Sequence, residues 1–307
     1  MIFWILGTAL FLFAVLLLLP ALVFYDVALN PKGRRPNTSS PEMTEMLEGY
    51  ARFFDRAQRE EWHIRSFDGL TLCGYLIQQE NPRGVVILCH GYTMQARGIA
   101  GPASWFFEHG YSVLLPDARG HGKSEGRFFG MGWPERRDML GWIARVNDAM
   151  HTPPIILYGI SMGGATVMMT TGEAALPKNV LAAVEDCGYT SVWDEFAYQL
   201  RHLFHLPAFP LLYLVDRLAR LRTGFGFRDA SALRQVKKSR TPTLFIHGDA
   251  DTFVPYAFMQ QVYNAAGCEK EMLTVPGAPH GLAAPTNPEL YWSNVERFLD
   301  KYVPKPV

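Results

Sequence analysis

The chain opens with an unbroken apolar stretch and then changes character. From Met1 to Tyr25 no side chain is charged. As a helix rising 1.5 Å per residue, such a stretch would cover about 37 Å, enough for a hydrocarbon core of about 30 Å with some tilt. A transmembrane anchor over residues 1–28 is therefore expected. A cleaved signal peptide fits less well, because the basic leading region is missing and no A-x-A-like site follows. Lys32, Arg34 and Arg35 come directly after the stretch, and by the positive-inside rule they put the remainder of the chain on the cytoplasmic side. Residues 30–41, NPKGRRPNTSSP, carry three prolines and no apolar period. They are read as a linker, within a linker and leading segment over 29–59.

Beyond residue 60 short apolar runs alternate with helical patterns. Trp62 to Ser66 and Leu70 to Ile77 are β-prone runs joined through Asp68-Gly69, a sequence suited to a tight antiparallel turn. GVVILCH (84–90), YSVLLPD (111–117), PIILYG (154–159), VLAAVED (180–186), TPTLFIHG (241–248) and EMLTVPG (271–277) are nearly continuous apolar runs, as in strands covered on both faces. Helical patterns lie over Trp133 to Met150, Tyr256 to Ala266 and Pro288 to Tyr302. Strand and helix in alternation predict an α/β fold with a mostly parallel, doubly wound sheet over 60–303. Residues 191–228 interrupt the alternation. They are dense in Leu, Phe and Tyr, contain Pro207 and Pro210, and read as an inserted helical cap.

Composition narrows the function. Lys plus Arg and Asp plus Glu both number 29 in 307 residues, with no run of like charge to follow a phosphate backbone, so nucleic acid is not an expected partner. Cys73, Cys89, Cys187 and Cys268 stand singly, without zinc-site or disulfide-scaffold spacing. No metal and no organic cofactor is expected.

Two segments, GKSEG at 122–126 and GISMG at 159–163, spell G-x-S-x-G. The glycines of that pattern let a strand turn sharply into a helix with the serine at the tip. Ser124 lies in a glycine-rich loop well past its strand. Ser161 directly follows the apolar run PIILYG and leads into the helix-forming MGGATVMM, so Ser161 is the candidate nucleophile. A serine hydroxyl needs a base, and the base a group to orient it. Downstream, Asp251 in HGDADTFVP and His280 in VPGAPHG each follow a strand end, in the order Ser, acid, His. Asp249 is the neighbour best able to replace Asp251. His90 and His247 sit in or at the end of strands, and His202 and His205 fall in the cap. The backbone N–H groups of Met162 and Tyr92 are the candidate donors to an oxyanion.

Taken in order, CHGYT, DARGHGKSEG, GISMGG, HGDADTFVP and PHG resemble the α/β-hydrolase superfamily, specifically bacterial membrane-anchored, serine aminopeptidase-like and esterase- or lipase-like hydrolases. The resemblance implies an α/β-hydrolase fold, with Ser161 as nucleophile, Asp251 as acid, His280 as base and Tyr92 and Met162 at the oxyanion hole. It implies serine-hydrolase chemistry and names no substrate. The activity expected is cleavage of a carboxylic ester, a small or lipid-like one, through an acyl-enzyme at a membrane-anchored domain. A peptidase of the prolyl aminopeptidase type and a catalytically silent fold used for binding are the alternatives. The apolar side chains of the cap are expected either to bury against one another and the hydrolase core or, in part, to line an acyl pocket above Ser161 at positions such as Phe204 and Phe209.

Overall fold

The computed structural model describes residues 2–32 and 41–304; most of the linker expected at 30–41, with Arg34 and Arg35, lies outside the described residues. The two β-prone runs form β1 (Glu60–Arg65) and β2 (Thr71–Ile77), paired antiparallel. Gly69 takes the positive φ of 90° at their turn. Next come β3 (Val85–Cys89), β4 (Ser112–Pro116), β5 (Ile155–Ile160), β6 (Val180–Asp186), β7 (Thr243–Gly248) and β8 (Lys270–Val275). Together they make one eight-stranded sheet in the order β1-β2-β4-β3-β5-β6-β7-β8, parallel from β4 onward. The parallel strands begin where the polar alternation of β1 gives way to continuous apolar sequence.

Helices cover both faces, and the side-chain alternation of β3 sorts them. Val86 and Leu88 face a core that includes Phe54, Ala103, Phe106 and Phe298, contributed by α2 (Pro41–Arg56), α3 (Ala100–Glu108) and α11 (Pro288–Leu299). Val85 and Ile87 face Met139, Trp142 and Ile143 of α4 (Glu135–Met150) and Val167 of α5 (Met162–Thr171). The remaining elements are α6 (Val192–Phe204), α7 (Leu211–Thr223) and α8 (Ala232–Val236), all between β6 and β7, then α9 (Tyr256–Ala265) and α10 (Ala283–Thr286). α2 falls within the segment read as leading sequence, and α3 was not singled out by pattern.

The first residues need a correction. They form α1 (Ile2–Leu29), but among the described residues no helix is long and apolar enough to cross a membrane. The expected transmembrane anchor over residues 1–28 is thus without structural support. From Ala21 onward the helix instead belongs to the globular body: Ala21, Tyr25, Ala28 and Leu29, spaced along one helical face, are buried. Phe24 meets Phe196 of α6 edge-on, with ring centroids 5.7 Å apart, and Arg222 of α7 lies over the Tyr25 ring.

The cap departs from expectation as well. Phe196, Leu200, Leu212 and Val215 are buried. Phe204 and Phe209 are 60% and 69% exposed, at the turn between α6 and α7, so neither is enclosed as the wall of an acyl pocket would be.

Candidate active site

Ser161 stands between the last residue of β5 and the first of α5, at φ 57° and ψ −117°, a region costly for any residue with a Cβ. The surroundings hold it there. Its N–H donates to Asp186 O at 2.8 Å, and two glycines give the turn its room. A Cβ on Gly159 would sit 2.2 Å from Gly163 O, and one on Gly163 would sit 1.9 Å from Cys89 O. The other serine is structural: Ser124 Oγ donates to Asp117 O at 2.6 Å and accepts from Cys73 N at 2.9 Å.

The histidine and aspartate picked from the sequence come to the same point from two different loops. His280 follows β8, and its Nε2 lies 2.8 Å from Ser161 Oγ. Its Nδ1 lies 2.7 Å from Asp251 Oδ2. A carboxylate can only accept, so Nδ1 carries the proton and Nε2 is left as the acceptor for the serine hydroxyl. Asp251 follows β7 with its side chain fully enclosed, and its Oδ1 accepts the N–H groups of Phe253 and Val254 at 2.8 and 2.9 Å. Burial pushes its pKa up, but hydrogen bonds from His247 and His280 outweigh that and hold it well below the usual carboxylate range. Asp249 points elsewhere, its Oδ1 accepting from Gly277 N at 2.6 Å. Met162 is the first residue of α5, where a backbone N–H has no intrahelical acceptor. The loop after β3 passes close by, since a Cβ on Gly91 would lie 3.8 Å from Ser161 Cβ, and Tyr92 is the next residue.

Comparison with known proteins bears on the fold and the enzyme class. A profile described as serine aminopeptidase, S33, matches residues 80–195. Monoacylglycerol lipase of Mycolicibacterium smegmatis is 29% identical over 240 residues, 65% of this chain and 82% of that protein. YqkD of Bacillus subtilis is 28% identical over 248 residues, 80% of this chain and 81% of that protein. Among solved structures, the esterase Pf2001 of Pyrococcus furiosus superposes with a TM-score of 0.67 at 22% identity, covering 88% of this chain and 100% of that one. The chain is a member of the α/β-hydrolase superfamily. Its enzyme class is that of the serine hydrolases.

In this hydrolase the second oxyanion candidate is braced from two sides. His90 is buried; its Nε2 accepts from Ala118 N at 3.0 Å, so its Nδ1 carries the proton and donates to Gly91 O at 2.8 Å. Both ring nitrogens are spent on backbone groups, Gly91 O in this loop and Ala118 N after β4, which removes His90 as a base. Tyr92 Oη donates to Ala28 O at 2.8 Å and lies 3.2 Å from Val27 O, among the last carbonyls of α1 that lack intrahelical partners.

Among the described residues, two groups of side chains have metal-ligand chemistry. Glu61, His63 and Cys73 gather on the β1–β2 ribbon, where Glu61 is already paired with Lys123. Cys187 joins Asp251 and His280, but burial pushes the Cys187 thiol up, so it remains an un-ionised neighbour of a site whose other two members are bonded to each other. Sequence reasoning set aside one residue that the site does contain. His247, placed by pattern inside a strand, brings its Nε2 to 3.0 Å from Asp251 Oδ2.

Proposed function

We propose that this hydrolase cleaves carboxylic esters through an acyl-enzyme formed on Ser161. His280 Nε2 takes the hydroxyl proton as Ser161 Oγ attacks the carbonyl carbon, and Asp251 stabilises the imidazolium that results. The N–H groups of Met162 and Tyr92 receive the oxyanion. His280 then passes its proton to the leaving alcohol, and a water deprotonated by the same imidazole attacks the acyl carbon, releasing the acid and restoring Ser161.

The observation that carries the reading is the continuous run of contacts from Ser161 Oγ through both nitrogens of His280 to Asp251, at 2.8 and 2.7 Å. An ester, including a lipid-like one, is favoured as substrate by the kinship with a lipase and the likeness in fold to an esterase. A fluorophosphonate probe should label the wild-type protein and Ser124→Ala, and should leave Ser161→Ala unlabelled. Turnover of p-nitrophenyl esters over a series of acyl lengths, set beside aminoacyl-naphthylamides, tests the bond cleaved. Labelling retained by Ser161→Ala, or amide turnover exceeding ester turnover, would overturn the proposal.

A further inference from the structure

The buried carboxylate of Asp251 is shared by two imidazoles. His280 Nδ1 lies 2.7 Å and His247 Nε2 3.0 Å from the same oxygen, Oδ2, while Oδ1 is occupied by the two backbone N–H groups of Phe253 and Val254. The tautomer of His247 follows from its other contact. Its Nε2 is also 2.9 Å from Val254 O, and a peptide carbonyl only accepts, so Nε2 bears a proton whether the ring is neutral or charged. That one proton lies between Val254 O and Asp251 Oδ2, so His247 faces the carboxylate as a shared donor. It is fully buried within β7, whereas the His280 side chain is 23% exposed on a loop.

We propose that His247 is a positioning residue that sets the protonation point of the catalytic base: by holding Asp251 Oδ2 it weakens that oxygen's grip on His280. The proposal rests on the reading of Ser161, His280 and Asp251 as the catalytic set. A carboxylate that spends part of its charge on one donor stabilises a second donor's cation less. His280 thus sheds its proton at a lower pH than it would facing Asp251 alone, and the enzyme keeps an available base further into the acid range. The sign is the same for either charge state of His247, since a neutral donor and a cation both draw on the carboxylate. The other ionisable groups around the pair are Glu185, Asp186 and Cys187 at and after the end of β6, Glu195 on α6, and Tyr256 on α9, whose ring centroid is 6.0 Å from that of His247. Burial pulls the His247 pKa down, but Asp251 and Glu185 outweigh it and raise it.

The test is the acid limb of the pH profile of kcat/KM, measured on an uncharged ester. His247→Leu removes the donor and should move that limb upward by about one pH unit. His247→Gln keeps an N–H donor and should leave the limb within a few tenths of a unit of the wild type. An unmoved limb in folded His247→Leu overturns the proposal, whatever happens to the plateau. If His247→Leu does not fold, 15N NMR of the histidine-labelled wild-type protein decides: a His247 Nε2–H signal that shifts as the His280–Asp251 pair titrates supports the proposal, and a signal indifferent to that titration, or a ring protonated only at Nδ1, overturns it. Labelling of Ser161→Ala separates the two layers. If that variant still reacts with a fluorophosphonate, the underlying catalytic reading has failed; if it is silent while the limb stays fixed, only the role of His247 has.

Discussion

Asp249 and Asp251 stand two positions apart in one turn and have different partners. Asp251 is enclosed and bonded to both imidazoles, whereas Asp249 accepts a single backbone N–H from Gly277. Asp251→Asn should therefore lower kcat/KM by about 10³- to 10⁴-fold, because an amide no longer holds the His280 tautomer. Asp249→Asn should keep it within about tenfold, and steady-state kinetics on one ester distinguishes the two. A different consequence attaches to Glu195, whose carboxyl is driven by burial to about 8, only partly offset by the Gln199 amide. In the unfolded chain it ionises near 4.5. Its contribution to stability is thus complete below about pH 4.5 and is lost as the pH rises toward 8. Glu185, pushed up to about 8, and Glu135, to about 7, act in the same direction. Urea midpoints should fall between pH 5 and pH 8, and Glu195→Gln should make that fall shallower. The meeting of Ser161, Asp251 and His280 could be anticipated from the sequence because each follows an unmistakable strand end. His247 was not, since a histidine inside an apolar strand has the same pattern whether it packs or bonds.

Among the elements, the loop DARGHGKSEG shows how a glycine-rich segment is made rigid. Arg119, 1% exposed, donates to both oxygens of Asp138 on α4 at 2.7 Å and to Asp68 in the β1–β2 turn at 2.9 Å. Arg119→Leu strands the buried Asp138 carboxylate and should destabilise the fold by about 3–5 kcal/mol. Adding Asp138→Leu should recover part of that loss in urea denaturation. The cap yields the opposite expectation. Because Phe204 and Phe209 stand in solvent, changing either to serine should leave the dependence of kcat/KM on acyl length within about twofold of the wild type at every length. The strands were legible, since near-continuous apolar runs of five to seven residues have few other uses. α2 was not: its apolar positions Ala51 and Phe54 are diluted by charge in a segment that opens with proline, and only the packing against α3 gives them a purpose. The cap aromatics misled for a related reason, because composition counts apolar side chains without saying which face they take.

Over the whole molecule, the features hardest to read in advance are contacts between distant parts of the chain. Tyr92 closes the end of α1 from 64 residues away. Phe129 N–H, a hundred positions on, donates to Leu29 O at 2.8 Å, and Phe24 meets Phe196. No local periodicity announces such pairs. They bear on how the protein can be handled. A greasy leading helix invites removal to obtain a better-behaved protein, yet starting the chain at residue 30 would uncover Phe196, Leu212, Val215 and Phe225, which pack in one core with Tyr25, Ala28 and Leu29. One sticky surface would be exchanged for another, now beside the loop that carries Tyr92. Such a shortened protein should melt at a lower temperature and associate in size-exclusion chromatography more than a full-length chain kept in mild detergent. Its ester turnover should fall through kcat more than through KM, as the Tyr92 loop loses the two carbonyls that moor it. Solubility would be better sought at Leu203, Phe204 and Leu221, apolar side chains that already face water.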